Sequence, residues 1–302
     1  MNFKFNKLPE ISPYVLAILW IIVVALSLAF FFIFTRMSYF KIDALSIWIF
    51  SCLILFYQSQ KEVDRLTPVQ QRSIILLGIG LSIFSFLNIP LGFGNPPYSI
   101  GDFSILLSGI GLIIIGLYNI RSYIVAIAVP AIAVIGFQLY ELFLVNEQTL
   151  SAPLLPFTVY FSNALIQILG IPAISKSNLI TITSTTGDKI NLLVTPECTG
   201  IWSLGTFAII VLMVLLSFPE AITKKGILLI AIGFIGTYIG NILRIGAIAM
   251  SGYFYGPTGA IENTHLHFGW IFFLCWMIVF WYYFFTRFLS VTFIKPESSG
   301  LK

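Results

Sequence analysis

Apolar runs of membrane-spanning length recur along almost the whole chain, and this single feature excludes most folds. Crossing a bilayer takes roughly 20 apolar residues as a helix, because about 30 Å is spanned at 1.5 Å per residue. Six runs meet that measure: Tyr14 to Phe34, Ser73 to Leu91, Tyr123 to Phe143, Ile201 to Phe218, Gly226 to Met250 and Phe268 to Phe285. Two shorter ones, Ile42 to Tyr57 and Phe103 to Tyr118, span with snorkelling of their polar flanks or local thinning. Only 9% of the 302 residues are charged, whereas soluble domains carry about 25%. The chain reads as an all-α polytopic membrane protein, and nucleic-acid binding and cytosolic metabolism drop out.

Pro153 to Gly170 is ambiguous, since two prolines open it and Ser162, Asn163 and Gln167 interrupt its apolar surface. It can span, re-enter or lie flat, and loop charge arbitrates, because short cytoplasmic loops carry the excess of Lys and Arg. Eight helices with a cytoplasmic N-terminus place eleven of the sixteen basic residues inside, among them Lys61, Arg65, Arg72, Arg121, Lys224, Lys225 and Arg287. Four, Arg36, Lys41, Lys176 and Lys189, fall outside. A ninth span would move Lys224, Lys225 and the basic C-terminus outside as well. The expectation is therefore eight transmembrane helices in the cell membrane with both termini cytoplasmic.

The first run lacks a small-residue cleavage site and reads as a retained helix. The whole chain, 1–302, reads as one integral membrane domain. Residues 1–145 hold five helices, 146–197 form an extracytoplasmic connection, and 198–302 hold three more. Nothing suggests the inverted repeats of transporters. Within the connection, Leu179 to Thr183 and Lys189 to Val194 flank Thr186-Gly187-Asp188, the pattern of a small β-hairpin before the sixth helix. The hairpin feeds directly into Thr195-Pro196-Glu197-Cys198.

An arginine at a helix centre costs about 2.5 to 3.5 kcal/mol on insertion scales. Arg244 lies in the seventh helix, with Asn241 on the same face three residues earlier. Its alternatives are a functional cation or a side chain snorkelling to the outer headgroups. Three cysteines are too few and scattered for a disulfide framework or a paired metal or redox site. Cys52 and Cys275 sit in apolar runs as core fillers, but Cys198 opens the sixth helix, where unpaired N–H groups and the helix dipole stabilise a thiolate. The alternative for Cys198 is an inert buried thiol. His265 and His267, the only histidines, precede the last helix and offer proton transfer near neutrality. Only Glu262 offers a third metal ligand, so no metal and no cofactor are expected. A topology chosen from loop charge alone brings thiol, cation and imidazole to the outer leaflet, the set that acyl transfer through a thioester needs.

These residues resemble the exosortase and archaeosortase family of membrane cysteine transpeptidases. The resemblance rests on Glu197-Cys198-Thr199-Gly200, on Asn241-Ile242-Leu243-Arg244, and on His265 four residues before Gly269-Trp270, in order at the outer ends of successive helices. It covers about the last 110 residues, and Cys-Thr-Gly in place of Cys-Ser-Gly leans towards the archaeal branch. The resemblance implies a thiol peptidase that cleaves the C-terminal sorting signal of secreted proteins, a short motif followed by a transmembrane helix and a basic tail. It implies Cys198 as nucleophile, Arg244 as oxyanion or thiolate stabiliser and His265 as acid/base, with His267 the alternate and Asn241, Glu197, Thr199 and Gly200 supporting. It also implies transfer to an acceptor, a lipid or its head group, at the extracytoplasmic face. A transporter, an export-complex scaffold, and a thiol protease using water are the competing readings; a continuous charged path through helices one to five, which transport needs, is missing.

Overall fold

The computed structural model describes residues 11–34, 40–61, 63–87, 100–144, 152–257 and 259–289, with backbone alone for some of these, including Pro196, Glu197, Glu262 and residues 266–270. Lys4, Lys7, Arg36, Lys295 and Lys302 of the charge count lie outside the described residues. Each of the eight expected runs is a helix: α1 (Pro13–Phe34), α2 (Phe40–Gln58), α3 (Pro68–Leu87), α4 (Ile100–Leu117), α5 (Ile124–Leu144), α7 (Ile201–Ser217), α8 (Lys224–Tyr255) and α9 (Gly259–Tyr283). The ambiguous segment is also a helix, α6 (Leu154–Ile168). At 15 residues it reaches about 22 Å, short of the hydrocarbon core. Among the described residues four helical stretches are long and apolar enough to cross a membrane: α3, α4, α8 and Ile271–Phe288. Pro13–Ala29 of α1, Leu45–Gln58 of α2, Ile124–Gly136 of α5, and α6 and α7 are apolar helical stretches of 10–17 residues. The protein is a multi-pass membrane protein.

The chain divides into two compact units, one comprising residues 1–143 with 209–219, the other 144–208 with 220–302. In the first, α3 opens on a reciprocal capping box: the Gln70 N–H donates to Thr67 Oγ1 at 3.3 Å, and the Thr67 N–H to Gln70 Oε1 at 3.0 Å. It then packs closely on α4 through Gly78 and Gly109; a Cβ on Gly78 would lie 2.6 Å from the Gly109 carbonyl oxygen. Such approach of small residues replaces the hydrophobic drive that lipid cannot supply. The Trp48 indole donates to Ser104 at 3.0 Å and so joins α2 to α4.

The second unit carries a three-stranded antiparallel sheet in the order β1 (Ala173–Lys176), β2 (Leu179–Thr183), β3 (Lys189–Leu193). The expected hairpin is β2 and β3, paired from Leu179↔Leu193 to Thr183↔Lys189. Its turn is closed by the Ser184 N–H on the Asp188 carbonyl at 2.9 Å, with Gly187 at φ +90. The extra strand β1 is four residues long and follows Pro172, too short to show an alternating pattern. Ile180, Ile182 and Ile190 on one face of the sheet are buried against Val159 and Ile166 of α6 and Ile245 and Ala249 of α8. The Thr185 N–H also donates to the carbonyl of Tyr253 at 2.9 Å, seating the sheet at the C-terminal end of α8.

Helix α8, capped by Thr223 on the Gly226 N–H, has 32 residues and is about 48 Å long, well beyond a hydrocarbon core of about 30 Å. Arg244 is 20 residues past Lys224, about 30 Å along the axis. With Lys224 and Lys225 at one headgroup layer, Arg244 reaches the opposite boundary. The final turns of α8, against the sheet, then lie beyond it. Helix α9 packs beside α8, where the Trp276 indole donates to the Gly233 carbonyl at 3.1 Å.

Candidate active site

Cys198 does not open an α-helix, which differs from the sequence-based expectation. It lies in a single 3-10 turn, Pro196–Thr199, and α7 begins only at Ile201. The break is Gly200, held at φ +80, a left-handed conformation that glycine adopts without the Cβ penalty. The Cys198 N–H is taken by the Thr195 carbonyl at 2.9 Å. The thiol therefore stands on a tight turn ahead of the helix, and the Thr195 hydroxyl donates to Sγ at 3.4 Å. A hydroxyl in that position stabilises sulfur as it gains negative charge.

Asn241 holds this turn from α8. Its Nδ2 donates to the Cys198 carbonyl at 2.7 Å, and Asn241 is buried. A Cβ on Gly200 would lie 2.9 Å from Cβ and Cγ of Asn241. The glycine is required twice, by its φ and by the close approach. Thr199 beside it is fully buried.

One helical turn beyond Asn241, the Arg244 guanidinium meets His265 of α9, with its terminal nitrogen 3.4 Å from Nε2. A guanidinium only donates, so Nε2 is the acceptor and the neutral ring carries its proton on Nδ1. Helix α9 begins at Gly259, so both histidines lie within its first turns rather than before it. Polar Glu262, Asn263 and Thr264 hid this start from a hydropathy reading. His265 precedes the apolar stretch Ile271–Phe288. Burial, and then the Arg244 charge, hold its imidazole below the ordinary histidine range. The side chains of His267 and Glu197 lie outside the described residues.

A cavity of about 610 Å³ joins these parts: Asn191 to Val194 from β3 and its continuation, Cys198, Ile245 and Ile248 of α8, Pro257, and Ile261 and His265 of α9. Among the described residues, Cys198 and His265 line it and Arg244 does not, although its guanidinium meets the His265 imidazole. Arg244 Nε is buried without a hydrogen-bond partner, so this cation retains unmet donor capacity. Among the described residues there is no cluster of three or more His, Cys, Asp or Glu suited to a metal ion. Missed in the sequence were the line-up of β3 with the cavity and the clamp of Asn241 on the cysteine turn. Both are contacts between distant segments, which residue spacing does not reveal.

The sequence model for transmembrane exosortases (Exosortase_EpsH) matches residues 43–282, most of the chain. The protein belongs to the transmembrane exosortase family. No curated protein and no solved structure matches it. The exosortase match extends far upstream of the three C-terminal motifs, into α2, so α2 to α5 belong to the family's pattern too. Members are membrane transpeptidases acting on secreted proteins with C-terminal sorting signals, which makes a peptide the substrate class.

Proposed function

We propose that this exosortase cleaves a C-terminal sorting signal through a thioester on Cys198 and passes the trimmed protein to an acceptor. The observation that carries this reading is the shared cavity lined by Cys198 and His265, with Arg244 bonded to the imidazole. Cys198 gives its proton to His265, and the thiolate attacks the scissile carbonyl carbon. The new C–S bond forms as the carbonyl π electrons move to oxygen. Collapse of this oxyanion breaks the C–N bond, and the leaving amine takes the proton from the imidazolium. The acceptor then loses its proton to His265 and attacks the thioester, releasing Cys198 as thiolate.

Arg244 serves the cycle in two ways. It disfavours the imidazolium, so the proton moves on readily to the amine. Once Nε2 is protonated it has no lone pair for the guanidinium, and the freed cation turns to the oxyanion, whose negative charge it stabilises. His265 fits the acid/base role better than His267, because helical residues two apart do not share a face. Glu197 and Thr199 support the turn. The site faces the extracytoplasmic side, with both termini in the cytoplasm and the chain acting as one membrane domain. The acceptor is a lipid or its head group.

The test is processing of a secreted protein carrying its native sorting signal, in cells whose only copy of the enzyme is Cys198→Ala. Full-length substrate should accumulate while the variant is expressed normally. Mass spectrometry of the new C-terminus in wild-type cells separates a lipid-linked product from the free carboxylate that water would leave.

A further inference from the structure

We propose that the substrate's segment at the scissile bond binds as a fourth β-strand, on the free edge of β3, and enters the Cys198 cavity in extended form. This rests on the reading of Cys198 as the nucleophile and adds how the peptide is held.

The sheet order puts β3 at an edge. Its register shows which backbone groups are free. The Val194 N–H donates to Asn178 O at 2.8 Å, and the Ser184 N–H to Asp188 O at 2.9 Å. These pairs share the register that sets Leu192 opposite Ile180 and Ile190 opposite Ile182. In an antiparallel ladder, hydrogen-bonded pairs alternate with non-bonded ones. Even-numbered residues of β3 therefore bond β2, and Lys189, Asn191 and Leu193 turn their N–H and C=O groups to the open edge. All three are exposed, and no partner strand covers the edge among the described residues.

That edge is continuous with the candidate site. Asn191 and Leu193 line the same cavity as Cys198 and His265, and the strand runs on through Val194 into the cysteine turn. A row of alternating donors and acceptors is matched by an extended peptide backbone. A helical segment has already used its own backbone groups and cannot bind there. The signal must then be unwound where it enters the cavity. Ile245, Ile248 and Ile261 line the same cavity and offer apolar contact to the side chains of the bound strand. Affinity comes from the backbone and selectivity from that apolar wall.

The full-length protein with Cys52 and Cys275 replaced by Ala is purified in detergent and treated with acetyl-Val-Ala-Val-Ala chloromethyl ketone, which alkylates Cys198 with loss of chloride. A series of this probe carries one backbone N-methyl group at successive residues. Only every second amide of a bound strand faces β3. Methylation should therefore slow alkylation about tenfold, the equivalent of one hydrogen bond, at alternate residues and much less at those between. Leu193→Pro removes an edge N–H that a peptide carbonyl would accept, without touching the β2 ladder, and should slow alkylation by every probe of the series about tenfold. A flat N-methyl profile on a Cys198 that still reacts with iodoacetamide overturns strand addition and leaves the nucleophile standing. A Cys198 inert to iodoacetamide and to every peptide probe overturns both.

Discussion

The side-chain amide of Asn241 donates to the carbonyl oxygen of Cys198 at 2.7 Å, tying α8 to a turn 43 residues earlier in the chain. The next turn of the same helix presents Arg244 to His265. One short stretch of α8 therefore fixes the thiol on one side and the imidazole on the other. The three-residue spacing from Asn241 to Arg244 is a structural ruler for the site.

Replacing Asn241 by Ala leaves the carbonyl of the half-buried Cys198 without its donor, which costs about 1 kcal/mol. The protein should unfold at lower temperature in detergent, and substrate processing should fall about tenfold or more. Asn241→Asp keeps the size but sets an acceptor against an acceptor, so it should do no better. Processing at the wild-type rate in either variant would show that the clamp does not position Cys198.

Gly200→Ala adds a methyl group at φ +80 and 2.9 Å from Asn241. Strain at such a position costs about 1–3 kcal/mol. The expected outcome is loss of processing together with a changed rate of Cys198 alkylation, measured with iodoacetamide. Unchanged values for both would mean that the turn is free to relax.

The pH dependence follows from the neighbour of His265. Burial and Arg244 both lower its pKa, so the neutral base persists below the ordinary histidine range, and the acid limb of kcat/KM should lie there. Arg244→Ala removes one of the two lowering causes. Its residual activity should be severely reduced, with the acid limb moved to higher pH. A limb that stays in place in this variant must belong to another group.

Between the two histidines, His265→Ala should damage processing more than His267→Ala. A comparison of processed and unprocessed substrate by immunoblot, at matched enzyme levels, decides it. Equal loss, or the reverse order, removes the acid/base assignment from His265.

Helix positions were legible because a bilayer leaves the chain few alternatives: a long run such as Gly226 to Met250 must satisfy its backbone internally. Boundaries were less legible where helices leave the apolar layer. Helix α9 starts at Gly259, nine residues before the run that marks it, because its first turns are polar. Strand β1 was missed because four residues after a proline carry no readable alternation. At the site, Cys198 and Arg244 could be named because a thiol at an expected helix start and a cation in an apolar run each need a reason, and His265 because the chain holds only two histidines. Their pairing could not be named. That Arg244 meets His265 while Asn241 meets the cysteine turn depends on how α8, α9 and the 3-10 turn pack. The left-handed Gly200, which moves Cys198 off the helix start, likewise lies where a Cβ would meet the distant Asn241.

The central claim is that Cys198 carries the acyl group of the cleaved substrate. Enzyme isolated while processing its substrate, quenched in acid and digested, should yield a Cys198 peptide bearing the substrate's new C-terminal residues. Neutral hydroxylamine should release that adduct, as expected of a thioester. The contradicting result is continued processing by a well-expressed Cys198→Ala protein, for which no thioester at this position can account.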